Sequence, residues 1–210
     1  MSRQKRLLVL LGFFILLAAA FMIFYFAEWK DRPKALPMVG EPGHKVQPFS
    51  FIDQMGRPYT SDSTAGKIYA VNYFFATCKG ICPRMNENFS KIYNAFRGDT
   101  AIVFLSHTVN PELDTPAALA AYARRFEAEP GRWVFLTGDK KELYDQARYS
   151  YLLSAADDTT GLSIDDDFIH DQHFVLVDRN GNLRGKFYDG LDSADVQQMI
   201  KDIKVLEQEK

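Results

Sequence analysis

A continuous apolar run, Ile68-Tyr69-Ala70-Val71-Asn72-Tyr73-Phe74-Phe75, leads directly to the chain's only two cysteines, Cys78 and Cys82, and then to Pro83. A short apolar run rich in β-branched and aromatic residues reads as a buried strand. Pro83 suits a first helical turn, because its missing N–H would be unpaired there anyway. The two thiols therefore fall where a strand ends and a helix begins. Unpaired N–H groups and the helix dipole at such a junction favour anionic sulfur. Thiolates exchange disulfides and bind soft metals, and these residues alone leave both chemistries open.

The rest of the chain supplies alternating elements. Phe49–Ile52 and Gly56–Tyr59 form a hairpin around Asp53-Gln54-Met55-Gly56. After the strand at 67–76, Met85, Phe89, Ile92, Tyr93 and Phe96 recur at helical spacing over 83–96. Strands follow at 101–106, 133–136, 174–177 and 183–187, and helices at 115–126, 140–148 and 192–206. Thr115 caps its helix with Pro116 in the first turn. The order β-β-β-α-β-α-β-α-β-β-α predicts an α/β domain, a mixed sheet with helices on both faces. With a cysteine pair at its first strand-to-helix turn, it reads as thioredoxin-like.

The N-terminus is different in kind. Leu7 to Ala27 contains no charged residue, and about 20 such residues cross a bilayer core. Arg3, Lys5 and Arg6 precede it, whereas Glu28, Lys30, Asp31 and Arg32 cancel one another after it. This asymmetry places residues 1–6 in the cytoplasm, 7–27 in the membrane and the remainder outside. A signal peptide cut near Ala18-Ala19-Ala20 is the rival reading, but the apolar run continues through Phe26, beyond a typical signal core. The expected location is a single-pass inner-membrane protein facing the periplasm or an equivalent space. Residues 28–47, with Pro33, Pro37, Gly40, Pro42 and Gly43, read as a linker, and 48–210 as the folded domain. Formal net charge is −2, yet five basic and two acidic residues lie in 1–33, so the domain is acidic. An acidic domain with no basic stripe excludes nucleic acid as a natural partner.

In an oxidising space two cysteines usually mean a disulfide. This pair would close only a tiny loop, and such a bridge stabilises little. Their C-x-x-x-C spacing puts the sulfurs at i and i+4, positions that share a helix face. That arrangement suits a metal ion or a redox disulfide, and a metal would need a third ligand. Of the four histidines, His44 lies in the linker and reads as solvated. His107 follows a strand and reads as a polar edge residue. His170 and His173 precede the strand at 174–177. The acidic runs Asp157-Asp158 and Asp165-Asp166-Asp167 read as a solvated loop.

Three ordered motifs carry a resemblance. Thr77-Cys78-Lys79-Gly80-Ile81-Cys82-Pro83 is similar to the C-x-x-x-C-P signature of the SCO/SenC family. Ser106-His107-Thr108-Val109-Asn110-Pro111-Glu112-Leu113-Asp114-Thr115-Pro116 resembles that family's S-V-D-P-x-x-D-T-P segment. Asp178-Arg179-Asn180-Gly181 matches its D-x-x-G turn, and the likeness covers roughly 45–208. The resemblance implies a thioredoxin-like fold and a copper site of two cysteines and one histidine. Carried over, the ligands are Cys78, Cys82 and the histidine eleven residues before Gly181, His170, with His173 as its competitor. It implies copper delivery to the copper-bearing subunit of cytochrome c oxidase, or reduction of that subunit's cysteines. Other copper chaperones and thioredoxin-like reductants are the further partners implied.

The chain departs from the pattern in places. Lys79 stands where proline is frequent, His107 and Thr108 add a residue to the S-V-D-P segment, and Asn110 replaces its aspartate. None of these removes a ligand. Two thiolates and an imidazole suit Cu(I), and Cu(II) can add water or a weak axial ligand. Structural zinc would want a fourth protein ligand.

Overall fold

The computed structural model describes residues 2–30, 35–153 and 171–209. The chain divides into two compact units, Met1–Ala35 and Leu36–Lys210. In the first, helix α1 spans Arg3–Lys30, and its Arg3–Phe26 stretch is long and apolar enough to cross a membrane. Its large apolar side chains, Leu7, Phe14 and Ile23 among them, are exposed.

The second unit is built on one seven-stranded sheet in the order β2-β1-β5-β4-β3-β6-β7. The strands are β1 (Ser50–Asp53), β2 (Pro58–Thr60), β3 (Ile68–Phe74), β4 (Ile102–Thr108), β5 (Trp133–Thr137), β6 (His173–Val177) and β7 (Leu183–Asp189). β3, β4 and β5 are parallel, while β1 and β2 on one side and β6 and β7 on the other run antiparallel. The helices are α2 (Cys82–Ala95), α3 (Pro116–Ala123), α4 (Lys140–Asp145) and α5 (Ser193–Gln208). This is the mixed, helix-flanked, thioredoxin-like sheet that the element order implies.

Strand alternation divides the core into two layers. Ile68, Ala70 and Phe74 of β3 pack with Phe104, Phe135 and Leu176 under α2, α3 and α5. Tyr69, Val71 and Tyr73 face the other way, with Val103, Leu136 and Val175, toward α4 and the β1–β2 hairpin. Because both faces are covered, the central strands carry no two-residue hydrophobic period.

Several boundaries differ from the sequence reading. β4 continues through His107 and Thr108, because Phe74 pairs with Thr108 at the end of a seven-residue parallel ladder. The helix at 115–126 is α-helical only to Ala123 and closes in a 3-10 turn through Phe126. Residues 36–47, expected as linker, lie against β7: Val39 N donates to Leu183 O and Gly185 N to Pro37 O. Arg184 anchors this segment, pairing with Asp178 and Glu209 while donating to Leu36 O.

Candidate metal centre

β3 delivers the site and its neighbours hold the delivery in place. Val109 N donates to Phe74 O at 2.9 Å, and Ala76 N donates to Asp114 Oδ2 at 3.0 Å. The Thr108 hydroxyl donates to the same carboxylate oxygen. Asp114 is fully buried, and burial raises its pKa despite these two donors. It thereby ties the loop before Cys78 to the end of β4 and the start of α3.

Behind α2 a buried polar chain fixes the helix against the sheet. The Trp133 indole can only donate, and it does so to Ser106 Oγ at 2.8 Å. Ser106 Oγ donates to Asn72 Oδ1, Asn72 Nδ2 donates to Asn86 Oδ1 at 2.8 Å, and Asn86 Nδ2 donates to the Tyr122 hydroxyl at 3.0 Å. A buried asparagine inside the run at 68–75 was the visible signal of this network.

α2 begins at Cys82. The preceding Ile81 is already helical in φ and ψ, and no side chain caps the helix. N–H groups at the junction, those of Gly80, Ile81 and Cys82, turn to the Cys78 sulfur instead. Gly80 N donates to Cys78 Sγ at 3.4 Å. Cys78 is half-buried and Cys82 buried, and both are free thiols. Partial burial works against a Cys78 thiolate, but the Cys82 thiol and the N–H groups of Cys82, Gly80 and Ile81 outweigh it, so the Cys78 pKa is lowered. Burial first, and then the adjacent Cys78, push Cys82 up to about 12. Cys78 is thus the more readily ionised of the two.

A cavity of about 370 Å³ opens on both thiols, walled by Tyr73, Phe74, Phe75, Met85 and Val109, with Asp171 at its margin. Among the described residues, no group of three His, Cys, Asp or Glu side chains is placed to hold a metal ion. The two thiols are a soft pair that suits a soft metal, and a third donor has to come from elsewhere.

The histidines divide clearly. His170 lies outside the described residues, as do both acidic runs. Asp171, the residue after His170, lines the thiol cavity. His173 opens β6; its backbone N–H donates to Asp171 Oδ1 at 2.7 Å and its Nδ1 lies 2.8 Å from the same oxygen. Its ring sits beside Phe187, and alternation along β6 puts it with Val175 and Val177, on the sheet face away from α2. His44 is half-buried rather than free in solvent, and its Nε2 meets Ser150 O at 2.9 Å. His107 is not an edge residue. It is fully buried among Phe49, Phe51, Tyr73 and Tyr151, with its ring stacked 4.9 Å from that of Tyr73. Neither ring nitrogen has a hydrogen-bond partner among the described residues, and burial lowers its pKa to about 3.

Comparison with known proteins gives a consistent answer. The SCO1/SenC family model matches residues 38–206. The SCO1 protein homolog of Bacillus subtilis (strain 168) is 26% identical over 162 residues, covering 77% of this chain and 82% of that protein. The structure of BsSco, a member of the Sco family of cytochrome c oxidase assembly proteins with a disulfide switch, superposes with a TM-score of 0.68 at 24% identity, covering 85% of this chain and all of that one. Bradyrhizobium japonicum ScoI with copper bound superposes with a TM-score of 0.58 at 22% identity, covering 77% and 99%.

Proposed function

This chain belongs to the SCO1/SenC family, and we propose from that premise that it is a membrane-anchored copper chaperone serving cytochrome c oxidase assembly. Copper is its cargo, held by the sulfurs of Cys78 and Cys82 and the imidazole of His170. The observation that carries this reading is the pair of free thiols opening on one cavity whose margin is Asp171, the chain neighbour of His170. A copper-bound relative of the same fold supports it. The recipient is the copper-bearing subunit of the oxidase. α1 anchors the chain in the inner membrane, and Arg3, Lys5 and Arg6 on its N-terminal side keep the thiol-bearing unit outside the cytoplasm.

The residues divide the work. Cys78, half-exposed and the more readily ionised, meets incoming metal first. Cys82 must give up its proton as the metal is bound, so loading releases protons and strengthens as pH rises. Asp114 and the Asn72–Asn86 chain keep the loop and α2 fixed while this happens.

The unequal thiols also favour a second reading, thiol–disulfide exchange with partner cysteines. Cys78 would attack a partner disulfide as its thiolate, and Cys82, deprotonating as it reacts, would resolve the mixed disulfide and release the partner as a dithiol, leaving Cys78 and Cys82 oxidised. Anaerobic Cu(I) titration of reduced residues 34–210 against a competing chelator separates the two. The copper reading expects one tightly held ion, weakened in Cys78→Ser and His170→Ala but not in His173→Ala. Weak binding indifferent to His170 refutes the site and leaves exchange as the function.

A further inference from the structure

The thiol cavity has a rim as well as walls, and the rim carries a charge that holding copper does not use. Lys79 stands between the two cysteines in sequence, is exposed, and lines the same cavity of about 370 Å³ on which Cys78 and Cys82 open. Among the described residues lining that cavity it is the only basic one. No ion pair or hydrogen bond engages its ammonium among the described residues. The other charged group there, Asp171, is already engaged within the chain: its Oδ1 accepts from His173 N at 2.7 Å and lies 2.8 Å from His173 Nδ1. Arg84, in the first turn of α2, is not part of the lining, and its Nη2 donates to Leu191 O at 3.4 Å. Beyond residue 33 the chain is net acidic, so Lys79 is a local exception to its surroundings.

Contact with a partner changes the situation of this lysine. Cys82 is buried and Cys78 half-buried. A partner's donor atom has to enter the cavity mouth to take copper from these sulfurs, or to meet Cys78 in disulfide exchange. The partner's surface therefore closes over the rim and takes Lys79 out of water. A charge that loses its water without gaining a counter-charge is costly. The walls beside it, Phe74, Phe75 and Val109, offer no acceptor side chain. A partner that fits must bring the anion itself, and charge complementarity of this kind sets specificity and encounter rate more than raw affinity.

We propose that Lys79 determines partner specificity at the thiol cavity: it selects a partner segment that carries a carboxylate beside the group entering the mouth. A flexible four-carbon stem lets its ammonium follow that carboxylate as the partner docks. Lys79 is also a position at which this chain departs from its family's pattern, which frequently has proline there. The inference rests on the reading that partners engage Cys78 and Cys82 through this mouth, and it holds for copper transfer and disulfide exchange alike.

The test needs no copper. The reduced, metal-free, full-length chain in lipid nanodiscs is mixed with iodoacetyl-Asp-Ala-amide, iodoacetyl-Asn-Ala-amide or iodoacetyl-Lys-Ala-amide, and alkylation of Cys78 is followed by mass mapping. With each probe the Cys78 thiolate displaces iodide from the same kind of carbon, the C–S bond forming as the C–I bond breaks, so only the neighbouring side chain differs. At about 20 mM salt the aspartate probe is expected to react about threefold faster than the asparagine probe and the lysine probe about threefold slower, differences that fade by about 0.5 M salt. Lys79→Gln, at an exposed position with no bond to lose, is expected to bring the three rates within about 1.5-fold of one another, and Lys79→Glu to reverse their order. Dividing by the asparagine rate removes any change in the reactivity of the thiol itself. Lys91→Gln removes the same charge farther along α2 and is expected to keep the wild-type ratios. Equal rates for the three probes in the wild type, a preference for aspartate that survives Lys79→Gln, or an equal loss of preference in Lys91→Gln overturns the proposal. The copper reading stands or falls separately, on the Cu(I) titration.

Discussion

His107→Phe should make the folded unit more resistant to acid. In the native state burial lowers the His107 pKa from 6.5 to about 3. Between those values the unfolded chain binds a proton that the native chain does not, so stability rises with pH across this window. The histidine's contribution is intact above pH 6.5 and is lost progressively as pH falls toward 3. A shift of this size corresponds to about 5 kcal/mol in all, of which roughly 3 kcal/mol is lost between about pH 7.5 and pH 4.5. Phenylalanine keeps the aromatic contacts with Phe49, Phe51, Tyr73 and Tyr151 and removes two unpaired nitrogens. At pH 7.5 the variant should match wild type or exceed it by up to about 3 kcal/mol. Urea unfolding of residues 34–210, followed through the buried Trp133, measures both quantities. Carboxylate titrations are common to the two proteins, so the difference between their curves isolates His107. A difference that stays flat from pH 7.5 to 4.5 would refute the reasoning, as would a variant clearly destabilised at pH 7.5, which would mean the nitrogens have partners.

Two further outcomes follow from the site. Cys78 should be alkylated by iodoacetamide well before Cys82 at neutral pH, as mass mapping of partially labelled protein would show. Cys82→Ala should remove a donor to the Cys78 sulfur and slow its labelling; faster labelling would mean the Cys82 thiol does not support the Cys78 anion. Asp114→Ala unties Ala76 N and the Thr108 hydroxyl together and should cost about 2–4 kcal/mol by urea unfolding. Asp114→Asn, which retains an acceptor, should cost less, and equal losses in the two would count against the tether.

The sequence made some of this legible and hid the rest for physical reasons. Strand, thiol pair and Pro83 are contiguous, so local rules are enough to place Cys78 and Cys82 at a strand-to-helix junction, and the structure has that junction. The cap at Thr115 was equally local, and its hydroxyl accepts from Ala118 N at 3.3 Å. His107 reads as an edge residue because β4 is covered on both faces: a central strand has no polar side, so a polar residue near its end looks like an edge. Asp114 was seen only as part of a motif, since its partner Ala76 is 38 residues away. Residues 36–47 carry loop composition, yet their backbone hydrogen bonds go to β7, and no hydrophobic period records a pairing made through main-chain groups.

The most direct test of the central claim is X-ray absorption at the copper edge of the full-length chain loaded with one equivalent of Cu(I), beside His170→Ala and His173→Ala. The account predicts two sulfur neighbours and one imidazole nitrogen in the wild type, with the imidazole lost only in His170→Ala. Copper bound by sulfur alone in the wild type, or an imidazole that survives in His170→Ala and disappears in His173→Ala, would contradict it.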